Sequence, residues 1–164
     1  AFSFRPPCTP LDVASPYQST WSCTDNLTDA APVHWTGDEL DWVGLVRVGD
    51  AVYRWLGAPV LEIAAARQIS VEVLPTLSRY VFQAGSATLT VEFLTPAIDH
   101  DKDYVWATCP VTTVSFKLEG SPSAEVYFDM SAATATQKDD EEVTWSRDAG
   151  PGIEVIRAGT TAQK

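Results

Sequence analysis

Alternation of apolar and polar side chains in short segments constrains the fold of this chain more than any other feature. In residues 87–93, 114–118 and 126–130 the apolar side chains recur at every second position. A period of two places these side chains on one face of an extended strand, while the polar ones face the other way. We therefore predict β-strands with one buried face in all three segments.

Further strand-like segments follow one another closely along the chain, at residues 41–48, 51–56, 69–74, 77–82, 143–146 and 153–158. Gly49-Asp50, between the first two, favours a two-residue type II′ hairpin. Only residues 60–67 have a helical composition, and this segment is too short to be a dependable helix. Many short strands without an amphipathic helix predict an all-β protein, an antiparallel β-sandwich.

The first forty residues have a different composition from the rest. Five prolines there fix φ and remove hydrogen-bond donors, so we expect neither a helix nor a central strand. The same residues contain large apolar side chains, which a disordered tail would not carry: Phe2, Phe4, Leu11, Tyr17, Trp21, Leu27 and Trp35. We predict a long, proline-rich, extended arm at 1–40 that packs on a sandwich formed by 41–164.

Charge and hydropathy exclude several classes of partner. The net charge is −11, which would repel nucleic acid and anionic lipid. No stretch approaches the roughly 18 apolar residues that a membrane-spanning helix needs. The chain begins at Ala1, as a processed protein would. Asn26-Leu27-Thr28 is an N-glycosylation sequon, so we expect a secreted chain with an N-linked glycan on Asn26.

Cysteine usage also favours an oxidising compartment. Cys8, Cys23 and Cys109 allow one disulfide and leave one thiol over. Of the three pairings we favour Cys8 with Cys23, which closes a loop of about 15 residues. Three unpaired cysteines, or a bond from the third to another part of the protein, remain alternatives. The spacing does not suit a zinc site.

Candidate catalytic and metal-binding groups are sparse. There is no nucleophile elbow, and His34 and His100 lie far apart in sequence. Residues 99–103 have carboxylates at alternate positions, but Tyr104 and Pro110 stand where a calcium loop has Gly and Glu. We read this segment, and the acidic run at 139–142, as solvated loops. We expect no metal, no cofactor and no catalytic residue in this chain.

Six tryptophans raise the possibility of a sugar-stacking surface. Four of them lie in or beside strand-like segments, where packing in the core is the more common use: Trp42, Trp55, Trp106 and Trp145. A carbohydrate-binding or lectin-like module, or an accessory domain of a glycoside hydrolase, is therefore kept as the alternative function.

An ordered series of short motifs covers nearly the whole chain: RPPCTPL at 5–11, SPYQSTWS at 15–22, TDNLTD at 24–29, HWTG at 34–37, GLVRV at 44–48, YRWLG at 53–57, SVEVLPT at 70–76, VEFLTP at 91–96, VYFD at 126–129 and VTWSR at 143–147. This series resembles the N-terminal β domain of the glutaminase A family. The resemblance implies hydrolysis of L-glutamine to L-glutamate and ammonia. It also implies an N-terminal β-sandwich joined to a larger C-terminal helical domain, which lies beyond Lys164.

On this resemblance the chain is expected to be an incomplete β-sandwich domain, inactive by itself, whose partner is the remainder of the same polypeptide. Its role would be structural and would include docking to the helical domain, where the catalytic residues would lie. Exposed apolar groups of the arm would make the contact. We expect Trp21, His34 and Trp35 near that contact or at the rim of the active site. Alternatively, these side chains close one end of the sandwich.

Overall fold

The computed structural model describes residues 6–59, 62–97, 110–136 and 140–163. These residues form strands and two short 3₁₀ helices, and none of them forms a helix that is long and apolar enough to cross a membrane. The strands are β1 Thr9–Val13, β2 Ser19–Ser22, β3 Val33–His34, β4 Trp42–Val48, β5 Ala51–Leu56, β6 Ala64–Ala65, β7 Arg67–Val73, β8 Leu77–Ala84, β9 Ala87–Leu94, β10 Thr113–Glu119, β11 Glu125–Met130, β12 Val143–Gly150 and β13 Ile153–Thr160. The 3₁₀ helices are Ala132–Ala135 and Thr161–Gln163.

Two four-stranded sheets enclose the main core. One has the strand order β10-β9-β8-β7 and the other β11-β4-β5-β6. Their inward side chains form one apolar cluster, as the period-two pattern requires: Trp42, Val46, Trp55, Leu56, Tyr80, Phe82, Leu89, Val91 and Phe93 are among its buried members. The predicted all-β class and antiparallel β-sandwich are therefore confirmed.

Two tight hairpins connect neighbouring strands as their sequences indicate. Val48 pairs with Ala51, and Gly49 between them has φ +59°. Gly85 has φ +56° in the equivalent place between β8 and β9. In both turns the first central residue is a glycine with a positive φ. The second central residue is not a glycine, and no non-glycine residue in the described part of the chain has a positive φ. This combination is the type II′ geometry. The turn predicted at Gly49-Asp50 is confirmed.

Trp55 lies at the centre of the sandwich. Its indole Nε1 donates a hydrogen bond to the carbonyl oxygen of Leu45 at 3.0 Å. Its ring stacks on Phe128, with centroids 5.9 Å apart, and contacts Phe82 at 6.3 Å. The indole crosses the backbone of Gly44, where no larger residue would leave room for it.

The short segment with helical composition contains a strand, not a helix, where it is described. Ala64–Ala65 forms β6, which pairs in parallel with β5. The amide of Ala66 donates to the carbonyl oxygen of Arg54 at 2.8 Å, and β7 begins at the next residue. Val60 and Leu61 lie outside the described residues. A few alanines cannot nucleate a helix by themselves, so pairing with β5 decides the conformation.

The arm forms a small sheet of its own in the order β1-β2-β3. The expectation that it has no central strand is wrong, because β2 lies between the other two and contains no proline; Pro10 is in the edge strand β1. Leu11, Leu27 and Leu40 enter the main core, which explains the apolar content of these residues.

The chain divides into two compact units, Ala1–Asp129 and Met130–Lys164. The second contains the β12–β13 hairpin, a two-stranded sheet. Pro151 and Gly152 connect its strands in a type II turn, with φ +75° at the glycine. Trp145, expected in a core, is 74% exposed on this hairpin, so that expectation is wrong. Trp42 and Trp55 are buried as expected.

Candidate functional site

The arm sheet brings together two of the three residues singled out from the sequence. His34 ends β3, and Trp35 follows it directly, with ring centroids 5.7 Å apart. In the β2–β3 pair, Thr20 lies opposite His34 and Trp21 opposite Val33. Because side chains alternate across a strand, Trp21 faces the other side of the sheet from His34. Trp21 is half-buried, and its indole donates to Ser19 Oγ at 2.9 Å.

One backbone carbonyl contacts both rings. The carbonyl oxygen of Pro16 accepts a hydrogen bond from Trp35 Nε1 at 2.7 Å and lies 3.2 Å from His34 Nε2. His34 Nδ1 is 2.8 Å from Thr36 Oγ1, whose hydroxyl donates to Asp38 Oδ2 at 2.6 Å. The amide of Thr36 also donates to His34 Nδ1 at 3.4 Å, so with the ring proton on Nε2 both nitrogens of the imidazole, and the indole N–H, have partners within the chain.

The outward face of this network is aromatic. Trp35 is 63% exposed, and Tyr17, which follows Pro16, is 89% exposed. We call Tyr17, His34 and Trp35 the arm aromatic surface. Exposed aromatic groups, two of which have their polar atoms bonded within the chain, resemble the aromatic hot spots of protein interfaces. A sugar or small-molecule site instead presents unused donors and acceptors.

The arm sheet is tied to the sandwich in several places. The predicted disulfide between Cys8 and Cys23 is present and joins the open ends of β1 and β2, with Cα atoms 4.0 Å apart. The hydroxyl of Thr112 donates to Asp12 Oδ1 at 2.5 Å, and the amide of Val13 donates to Thr95 Oγ1 at 3.3 Å. These bonds hold the arm aromatic surface on a rigid base.

Arg54 is a structural residue that the sequence did not indicate. It is only 5% exposed and donates to the carbonyl oxygen of Thr28 at 2.6 Å and to that of Gly57. Burial lowers the pKa of its guanidinium, and the nearby charge of Asp29 opposes that shift. Arg54 thus fastens the loop that contains the sequon to β5. A strand position beside Trp55 carries no signal for this role.

The sequon itself is accessible at its asparagine. Asn26 is exposed, whereas Leu27 and Thr28 are buried. Asn26 Nδ2 donates to Asp29 Oδ2 at 3.0 Å, which orders the loop. Glycosylation of Asn26 stays a prediction.

A shallow groove of about 310 Å³ lies on the outer face of the sheet β11-β4-β5-β6, lined by Leu45, Arg47, Val52, Glu125, Val126 and Tyr127. Arg47 and Glu125 form an ion pair across it at 2.5 Å, which raises the pKa of the Arg47 guanidinium. Asp129 raises the pKa of the Tyr127 phenol and accepts its hydrogen bond at 3.2 Å. The charged groups of the groove are thus paired with one another.

Several groups named from the sequence lie outside the described residues. These are the calcium-like segment 99–103, with His100, and also Trp106 and Cys109. Within the described ranges, no three His, Cys, Asp or Glu side chains are grouped so that they could hold a metal ion.

Comparison with protein families gives two matches. Residues 1–67 match a family described as Domain of unknown function (DUF4964), and residues 76–164 match one described as Domain of unknown function (DUF5127). Among curated proteins, the chain is similar to "Glutaminase A" from Aspergillus oryzae (strain ATCC 42149 / RIB 40), with 33% identity over 144 residues. The match covers 80% of this chain but 20% of the relative, so the chain spans about a fifth of that protein's length. No solved structure matches the chain.

The two family regions are interleaved in the fold. Residues 1–67 contribute β4 and β5, and residues 76–164 contribute β8 to β11. Strand β11 from the second region is hydrogen-bonded to β4 from the first. The unit Ala1–Asp129 therefore needs strands from both regions to complete its sheets.

Proposed function

The chain belongs to the family described as Domain of unknown function (DUF5127), and we propose that it is the N-terminal β-sandwich part of a secreted, glutaminase-related protein. The observation that carries the proposal is the similarity to Glutaminase A along most of this chain. The Cys8–Cys23 disulfide and the exposed Asn26 of the sequon support secretion, because disulfides persist in oxidising compartments.

In this proposal the full-length protein, meaning the glutaminase-related polypeptide that contains this chain, hydrolyses L-glutamine to L-glutamate and ammonia. The groups that carry out the reaction lie in its other, larger part. The present chain has a structural role and docks to that part. Its size relative to the curated relative supports this division, since four fifths of that relative lie outside the match.

We assign the docking role to the arm aromatic surface. Trp35 and Tyr17 expose large rings, while the polar atoms of His34 and Trp35 are bonded to Pro16 and Thr36. Such a surface gains from contact with another apolar surface and loses few hydrogen bonds to water on burial. A carbohydrate platform, the alternative, would also use exposed aromatic rings but needs free polar groups around them.

Ammonia release tests the division of labour. We expect the full-length protein to release ammonia from L-glutamine and the 164-residue chain alone to release none. Release by the chain alone at a comparable rate would contradict the proposal. Binding of the isolated chain to a glycan array would favour the carbohydrate-binding alternative.

A substitution at Trp35 tests the docking role. We expect Trp35→Ala to lower the melting temperature of the full-length protein while leaving that of the isolated chain nearly unchanged, because the side chain is exposed there. Tyr127→Ala is the matched control, since Tyr127 is similarly exposed, at 54%, on the outer face of a sandwich sheet. Equal effects of both substitutions on the full-length protein would remove the arm aromatic surface from the interface. Unchanged stability with lower turnover would indicate a place at the active-site rim instead.

A further inference from the structure

One face of the β12–β13 hairpin carries large apolar side chains together with the Arg147–Glu154 ion pair. Its register pairs Trp145 with Ala158 and Arg147 with Ile156, so these four side chains share one face. On that face Trp145 and Ile156 are diagonal neighbours. We call Trp145, Ile156 and Ala158 the hairpin apolar face.

Both large side chains of this face are in contact with solvent. Trp145 is 74% exposed and Ile156 is 71% exposed. Their strands pair only with each other among the described residues. A two-stranded hairpin is marginally stable in water at best, and it becomes stable when an apolar face packs on another surface. This hairpin therefore has the features of an element that is completed by a partner.

The charges of the hairpin and of the whole chain limit which kinds of molecule can bind the hairpin apolar face. Arg147 pairs with Glu154 at 2.5 Å, and Arg157 pairs with Asp148 at 3.4 Å. Two positive and two negative side chains cancel, so the hairpin is neutral within a chain of net charge −11. An anionic ligand finds no unpaired arginine on it. A second copy of the chain would bring another −11 charges with it, which opposes self-association.

We propose that the hairpin apolar face docks on an apolar surface of the remaining part of the full-length protein. This inference rests on the proposed function, in which the full-length protein has a larger part outside this chain. Four fifths of the curated relative likewise lie outside the matched region. The neutral hairpin with its exposed Trp145 and Ile156 suits such an intramolecular contact, in which no charge has to be desolvated without its partner. The hairpin is then a second docking element, in addition to the arm aromatic surface.

Hydrogen–deuterium exchange of the isolated chain and of the full-length protein tests this inference. We expect amides of residues 143–160 to exchange rapidly in the isolated chain and at least about tenfold more slowly in the full-length protein. Strand β9, central in its sheet, is the internal control and should be protected in both. Equal exchange of the hairpin in the two proteins would overturn the inference.

The same data separate this inference from the proposed function. Protection of the amides of Tyr17 and of residues 34–38 without protection of the hairpin would refute hairpin docking and leave the arm contact standing. Ammonia release measured on the same full-length sample reports on the activity independently of either contact.

Substitution of one exposed side chain provides a second readout. Trp145→Ser should leave the melting temperature of the isolated chain unchanged and lower that of the full-length protein, with faster exchange of the hairpin. Thr90→Ser, on the polar outer face of β9, is the control and should change neither protein. No effect of Trp145→Ser on the full-length protein would contradict the proposal.

Discussion

Gly44→Ala tests whether the centre of the sandwich is packed as described. A Cβ atom at position 44 would lie 2.3 Å from Cε2 and 2.5 Å from Cζ2 of Trp55. Carbon atoms in contact are normally about 3.5–4.0 Å apart, so the indole would have to move by roughly an ångström or more. Trp55 is completely buried between aromatic neighbours, and its N–H is bonded to Leu45, so such a movement disturbs the whole core.

Overpacking of a well-packed core costs about 1–3 kcal/mol. Replacing a strand glycine with alanine returns about 0.5–1 kcal/mol of backbone entropy. Because the clash at Gly44 is severe, we expect a net loss of about 2 kcal/mol in the free energy of unfolding. This corresponds to a melting temperature lower by about 4–8 °C. Urea denaturation followed by tryptophan fluorescence measures the free energy.

A double-mutant cycle identifies the cause of the loss. Trp55→Phe makes the ring smaller and removes Cζ2, one of the atoms that would meet the new methyl group, so the two substitutions together should cost less than the sum of their separate costs, by about 1 kcal/mol or more. Gly49→Ala is the control, because its Cβ would meet no atom within 4 Å and its cost comes from φ +59° alone. It should show no coupling to Trp55→Phe. Wild-type stability of Gly44→Ala, or strict additivity with Trp55→Phe, would refute the packing described here.

Three further predictions concern the arm, the buried charge and the two family regions. Replacing Cys8 and Cys23 by serine should lower the free energy of unfolding by about 3 kcal/mol, the value for a loop of about 15 residues, and urea denaturation showing no loss would contradict it. Arg54→Met leaves the carbonyl oxygens of Thr28 and Gly57 without a donor and should cost about 2–3 kcal/mol in the same assay. Arg47→Met, the control, removes an exposed ion pair and should change the free energy of unfolding little. Equal effects of the two substitutions would contradict the role given to Arg54. Fragments 1–75 and 76–164 should each lack a near-ultraviolet circular dichroism signal alone and should show one when they are mixed, because β11 completes the sheet that contains β4. A folded signal from either fragment alone would argue against the interleaved fold.

Alternation of side chains and strand-like composition predicted most strands of the sandwich, but not β6, which lies in the segment of helical composition. The segment 51–56 forms β5, and the segment 87–93 lies within β9, as predicted. Strand β9 buries alternate side chains on the core, so a period of two is visible in its sequence, whereas β5 buries the three consecutive residues 54–56. The arm sheet was missed because its strands are short and mostly polar, and because Pro10 tolerates an edge position.

The candidate site was only partly predictable. His34 and Trp35 were singled out by the resemblance. The carbonyl oxygen of Pro16 that both rings share lies eighteen and nineteen positions before them in the sequence, and only the folded arm brings it close. Trp145 shows the limit of alternation, which tells which side chains share a face but not whether anything covers that face. Arg54 is buried by a loop from elsewhere in the chain, so its own strand carries no sign of burial.

Hydroxyl-radical footprinting with mass spectrometry, applied to the isolated chain and to the full-length protein, tests the docking claim most directly. We expect Tyr17 and Trp35 to be oxidised readily in the isolated chain, where they are 89% and 63% exposed, and much more slowly in the full-length protein. Trp55, completely buried in the sandwich, should remain unreactive in both. Equal oxidation of Tyr17 and Trp35 in the two proteins would contradict the account.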